Sequence, residues 1–222
     1  MSIEKRFLRL IYPPKCILCG RLLEKDETDL CHSCRLDSPV YTGSRIKLPF
    51  IDGWTAVWRY DGPVRESILR FKFHRKRVYA ESYGRLLAMK ILQEFPEGFD
   101  CLAWVPVSRW RKFRRGYDQV ELLADAVGRE LDMEPVKLLR KIRNNRVQSS
   151  IVGEAQRRAN VLGAYRAENA ELLREKRILL LDDVITTGAT LGECARVLLT
   201  AGAKEIYCAA VATARHNDKK SR

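Results

Sequence analysis

The stretch Ile178-Leu179-Leu180-Leu181 is apolar at every position and runs directly into Asp182-Asp183-Val184-Ile185-Thr186-Thr187-Gly188-Ala189-Thr190. A half-solvated strand alternates apolar with polar side chains, and this one does not. An unbroken apolar run of strand length fits a parallel strand covered on both faces. The rest of the chain keeps to the same plan. Gly53 to Tyr60 reads as a strand ahead of the turn Asp61-Gly62-Pro63, and helical spacing follows in PVRESILRF and in YAESYGRLLAMKILQEF. In the second helix Tyr83, Leu86, Leu87, Ile91 and Leu92 are predicted to share a face. Cys101 to Val107 reads as a buried strand, Asp118 to Leu131 as a helix, Thr190 to Ala201 as a helix closed by Gly202, and Ile206 to Thr213 as a strand. Strands alternating with helices predict an α/β domain, a mainly parallel sheet flanked by helices.

Size and charge limit what such a domain can do. With 222 residues, 46% hydrophobic and 31% charged, the chain is globular and holds one ordinary domain plus a small appendage. A net charge of +13 favours polyanions, phosphorylated small molecules or acidic membrane surfaces as partners. No apolar run reaches the roughly 20 residues of a membrane span. The first residues, MSIEKRFLRLIYPP, lack a continuous apolar core, so a cytoplasmic location is expected.

The appendage is at the amino-terminal side. Cys16 and Cys19, then Cys31 and Cys34, form two CxxC pairs. Two such knuckles can complete a tetrahedral all-sulfur site, so a structural zinc module is predicted over 1–45, with iron in a rubredoxin-like site as the rival. The α/β domain then occupies 46–222. Cys101, Cys194 and Cys208 sit among apolar or small residues and read as buried, inert thiols.

In open α/β sheets, ligands bind beyond the carboxyl ends of the strands. Val184 to Ala189 is predicted to form that edge. Backbone N–H groups and the dipole of the following helix attract a phosphate there. Thr186, Thr187 and Thr190 add hydroxyl donors, and Gly188 permits close backbone approach. Asp182 and Asp183 suit sugar hydroxyls, or magnesium as outer ligands. Together they suit a phosphorylated sugar. Neither GxxxxGK followed by Ser or Thr nor GxGxxG occurs in the chain.

Ile178 to Thr190 resembles the 5-phosphoribosyl 1-pyrophosphate (PRPP) signature of type I phosphoribosyltransferases: apolar strand, Asp-Asp, then T-T-G-x-T. With the four cysteines and WVPVSRWRKFRRGYDQVELLA, nearly the whole chain resembles the ComF family of competence proteins, including GntX-type members. The resemblance implies a type I phosphoribosyltransferase-like sheet with a small zinc-ribbon-like module. It implies that Asp182 and Asp183 bind the ribose hydroxyls and that Thr186, Thr187, Gly188, Ala189 and Thr190 wrap the 5′-phosphate. It further implies that Val107 and Ser108 form the pyrophosphate loop, and that Arg109 to Gly116 is the mobile loop, Arg109 included with the PRPP contacts. Arg157 and Asn160 match a family pattern without a chemical role.

Two classes of function follow. As an enzyme, the protein would displace magnesium pyrophosphate from the anomeric carbon in favour of an unidentified base, by positioning and by stabilising the leaving group. As a binding protein, it would take Mg-PRPP and single-stranded DNA in natural transformation, as ComF-like proteins are associated with DNA uptake. Arg111, Lys112, Arg114 and Arg115 are the predicted nucleic-acid contacts, within basic clusters at Arg70–Arg77, Arg109–Arg115 and Lys137–Arg146. Phe71, Phe73, Trp110 and Phe113 could stack on bases. A third reading is a structural adaptor for a DNA-uptake helicase.

Overall fold

The computed structural model describes residues 13–43, 46–73, 77–143 and 159–215, without the side chains of Arg109 and Arg111. In chain order the elements are α1 (His32–Asp37), β1 (Gly53–Arg59), α2 (Gly62–Phe73), α3 (Tyr79–Glu94), β2 (Cys101–Trp104), α4 (Arg109–Arg115), α5 (Gln119–Leu131), β3 (Leu139–Lys141), β4 (Tyr165–Ala167), β5 (Arg177–Ile185), α6 (Ala189–Thr200) and β6 (Glu205–Thr213). Strands β1, β6, β5 and β2 lie side by side in that order, all parallel, and β3 pairs with β4 antiparallel. The expected α/β architecture is therefore present.

The apolar run accounts for the layering. Leu179 and Leu181 enter one core, shared with α2, α3 and α5, while Ile178 and Leu180 enter a second core beneath α6. All four are fully buried. Helix α3 lies close on α5 because Gly84 leaves room: a Cβ there would stand 2.5 Å from the Ala126 Cβ. The predicted face of α3 holds at Tyr83, Leu87 and Ile91, but Leu92 points to solvent.

Strand β5 runs further than its apolar residues suggest. β2 pairs with it only from Cys101↔Ile178 to Trp104↔Leu181, whereas β6 stays beside it to Ile185↔Thr213. Asp182 and Asp183, expected just past the strand, are inside it, and the turn is shortened to residues 186–188. Backbone pairing with β6 outweighs the unfavourable strand propensity of aspartate. The two acids project where one neighbouring strand has already ended.

The cysteine segment packs into the first core rather than standing apart. Cys16, Ile17, Leu18, Leu30 and Cys31 are buried with residues of α2 and α3. The Ser67 hydroxyl donates to the Ile17 carbonyl, and Arg70 donates to the carbonyls of Ile17 and Leu18. Arg85 on α3 pairs with Asp29. Beyond α1 the chain runs antiparallel to β1, with Tyr41 N–H to Val57 O at 2.9 Å and Arg59 N–H to Pro39 O at 2.7 Å. Burying Ile17 and Leu18 contributes about 1.5–3 kcal/mol each. No described helix is long and apolar enough to cross a membrane.

Candidate functional site

The turn after β5 is compact. Gly188 has φ 76° and ψ 0°, a left-handed conformation that glycine adopts without strain. A Cβ there would stand 2.5 Å from Leu48 Cδ2. Conformation and packing thus both call for glycine. The Gly188 carbonyl accepts from Gly192 N–H at 2.8 Å, opening α6, and Ala189 N–H donates to Thr187 Oγ1 at 3.3 Å. Thr186, Thr187, Ala189 and Thr190 keep partial exposure around the helix start.

The two acids are unequal. Alternation along β5 turns them to opposite faces of the sheet. Asp183 is buried on the first-core side. Its Oδ1 is 2.7 Å from Lys72 Nζ on α2, and its Oδ2 accepts from Gln119 Nε2 at 2.9 Å. Asp182 stays partly accessible, and its Oδ1 accepts the Asp183 N–H at 2.8 Å. Among the described residues no ion pair reaches Asp182. Desolvation, and then the charge of Asp183, push its carboxyl up to about 8, with the cation of Lys72 opposing the rise. Asp182 is the more accessible of the two acids.

Beside them lies the segment after β2. Val107 N–H donates to Asp118 Oδ2 at 3.0 Å, and the same carboxylate caps α5 by accepting from Val120 and Glu121. Burial raises the Asp118 carboxyl, and these N–H groups offset only part of the rise. Ser108 is buried, and its carbonyl accepts from Lys112 N–H at 2.9 Å. Arg109 to Arg115 forms the helix α4 where the resemblance implied a loop. Charge repulsion within that basic run is relieved by pairing. Lys112 Nζ lies 2.6 Å from Glu121, Arg114 lies over Trp110, and Arg115 lies over Phe73 while donating to Gln119 Oε1 at 2.6 Å. Lys72, Phe73, Arg114, Arg115 and Tyr117 line a cleft of about 150 Å³.

Several cations of the other basic clusters have partners within the fold. Arg70 binds the cysteine segment, Arg77 donates to the Gly116 carbonyl at 2.8 Å, and Lys137 and Arg140 both pair with Glu168. Phe71 is fully buried and unavailable for stacking, because α2 turns it into the core; Phe73, Trp110 and Phe113 are exposed. Residues 74–76, 144–146 and Arg157 lie outside the described residues, and Asn160 lies within them.

The four thiols converge. The sulfur atoms of Cys16, Cys19, Cys31 and Cys34 all lie within 4.8 Å of one another, and Cys19 Sγ is 3.7 Å from Cys31 Sγ. Tetrahedral zinc with bonds of about 2.3 Å would separate its sulfurs by nearly that distance. Burial works against a Cys16 thiolate, but backbone N–H groups of Cys19, Cys31 and Leu18 outweigh it and bring the thiol down to about 7. Cys34 is raised by burial and then by the neighbouring thiol of Cys31. A bound divalent metal would offset that crowding and hold all four as thiolates. The geometry and donor set fit zinc. Cys101, Cys194 and Cys208 are buried as expected, with burial raising each thiol.

Residues 120–222 match the family model of the phosphoribosyl transferase domain, and residues 7–45 match that of the double zinc ribbon domain. Competence protein F of Haemophilus influenzae is 27% identical over 86% of this chain and 93% of its own length. DNA utilization protein YhgH of Escherichia coli is 29% identical over 87% of this chain and 88% of its own. Competence protein ComFC of Bacillus subtilis is 26% identical over 84% and 72%. Over most of its length the chain is similar to these competence and DNA utilization proteins. Its zinc ribbon segment, residues 7–45, holds four cysteines, a complete ligand set for one all-sulfur site. Among solved structures, glutamine PRPP amidotransferase from B. subtilis overlays on 63% of this chain with a TM-score of 0.43 and 19% identity, the overlap spanning 30% of that enzyme's chain.

Sequence reading missed Lys72, Asp118, Gln119 and Leu48 as parts of the site. Asp118 carried a signal, since Asp ahead of an apolar-periodic segment is an N-cap. Lys72 did not, being one cation in a basic run.

Proposed function

We propose that the protein binds the magnesium complex of PRPP at the end of β5 and single-stranded DNA along α4, and that it acts in the handling of incoming DNA. The observation that best supports PRPP binding is the compact turn at the start of α6, with Gly188 in its left-handed conformation and Asp182 accessible beside it. The 5′-phosphate would sit on the N–H groups and hydroxyls of Thr186, Thr187, Gly188, Ala189 and Thr190. Asp182, with Asp183, would receive the ribose hydroxyls. Val107, Ser108 and Arg109 would face the pyrophosphate, Asp118 holding the Val107 N–H in place. Carboxylate and hydroxyl oxygens are hard donors of the kind magnesium takes.

DNA binding rests on α4. Its exposed aromatic residues Trp110 and Phe113 alternate with Arg111, Lys112, Arg114 and Arg115. Stacking surfaces set among cations suit a single strand without sequence preference. The relatives named above carry names of competence and DNA utilization, which supports a place in DNA uptake. A helicase that draws in the strand is the partner such a role calls for.

Replacing Arg111, Lys112, Arg114 and Arg115 with Ala should weaken single-stranded DNA binding and shrink its salt slope by about 0.7 for each phosphate no longer neutralised. Replacing Asp182 and Asp183 with Ala should abolish PRPP binding and spare DNA. Retention of DNA that ignores salt would contradict the assignment of α4. Pyrophosphate release with any common nucleobase would establish the catalytic alternative.

A further inference from the structure

Lys72 touches both halves of the proposed site. Its ammonium lies 2.7 Å from Asp183 Oδ1, and its side chain also walls the cleft with Arg114 and Arg115. Gln119 joins the same two places: Nε2 donates to Asp183, and Oε1 accepts from Arg115. In this arrangement each Asp183 oxygen already has a donor.

We propose that Lys72 is shared between acid and phosphate. It neutralises Asp183 in the arrangement seen here, and it turns to the pyrophosphate group of a ligand in the cleft, leaving Asp183 Oδ1 to the sugar hydroxyls. The proposal rests on the PRPP reading above.

The physical grounds are these. A lysine ammonium is a compact point charge on a flexible four-carbon stem, able to exchange partners by rotation of its own bonds. A pyrophosphate group beside Lys72 offers more negative charge than one carboxylate. A buried carboxylate stripped of its counter-ion is unfavourable unless new donors arrive. The diol hydroxyls are those donors. Each event therefore favours the other, and a molecule carrying both sugar and pyrophosphate is preferred over either fragment. By reciprocity, the fragments must strengthen each other's binding by one common factor.

The test measures that factor. Magnesium pyrophosphate and ribose 5-phosphate are titrated by calorimetry, each alone and in the presence of the other, into the wild-type protein and into Lys72→Gln. Repulsion between the two anions is common to both proteins and cancels in the comparison. The expected result is a coupling factor about fivefold or more lower in Lys72→Gln. Pyrophosphate should bind that variant more weakly and ribose 5-phosphate more tightly. An unchanged factor, with PRPP still binding the wild type, would overturn the exchange and leave the PRPP reading standing. Failure of the wild type to bind PRPP or either fragment would overturn both. Should Lys72→Gln not melt cooperatively, a crystal structure of the wild type with magnesium pyrophosphate decides. Nζ on a phosphate oxygen supports the exchange, and Nζ still on Asp183 overturns it.

Discussion

The thiol cluster and the acid site are built in opposite ways. Cys16, Cys19, Cys31 and Cys34 come from one short stretch, and local turns bring their sulfur atoms within 4.8 Å of one another. The acid site draws Asp182 and Asp183 from β5, Lys72 from α2, Gln119 from α5 and Leu48 from the segment before β1. Local chemistry makes the first, and the parallel topology of the sheet makes the second. The first site should thus depend on its metal, and the second on the whole domain being folded.

The two are also in contact, since α2 carries both Arg70, bound to the cysteine knuckle, and Lys72, bound to Asp183. Three experiments probe how far they are independent. Metal removal should have the largest effect. A structural zinc site contributes on the order of 10 kcal/mol to folding, and the knuckle shares a core with α2 and α3. Chelation should therefore lower the melting temperature of the whole protein, with metal content followed in parallel. A stripped protein that melts unchanged would show the sites to be independent.

Gly188→Ala comes next. It places a Cβ against Leu48 at a left-handed φ, at a cost of about 2–3 kcal/mol by chemical denaturation. Combined with Leu48→Ala, the two changes should cost less than their sum, because the clash is removed while the backbone strain persists. Full additivity would mean that the turn and Leu48 do not touch.

Asp182→Asn should give the smallest change, and one that depends on pH. An ordinary aspartate titrates near pH 4, and Asp182 is pushed up to about 8 in the fold. Between those values the folded chain holds a proton that the unfolded chain has released. Stability contributed at this position is therefore lost as pH rises from about 4 to about 8. Asp182→Asn should match the wild type near pH 4 and exceed it above pH 8, by about 1 kcal/mol after allowance for partial solvent screening. A difference independent of pH would contradict the shift.

The contrast in construction decides what was legible beforehand. Four cysteines at ligand spacing named their own cluster, and the unbroken apolar run Ile178–Leu181 foretold a doubly covered parallel strand. The threonine turn and the acids were visible for the same reason, as neighbours in sequence. The pairing of Asp183 with Lys72 was not, because it depends on α2 crossing the sheet near the end of β5. Nor could the chain reveal that β5 continues through both acids, which follows from the length of β6 beside it. Phe71 and Phe73 stood alike among cations as candidates for stacking, and only the turn of α2 separates the buried ring from the open one.

The most direct test is calorimetric titration of the wild type and of Asp182→Ala with magnesium PRPP, with zinc content measured in both. Saturable one-site binding by the wild type is expected, weakened about tenfold or more in the variant through loss of a hydrogen-bond partner for the ribose hydroxyls, with zinc unchanged. Equal binding by the two proteins, or no binding by the wild type, would contradict a sugar-phosphate site at the end of β5.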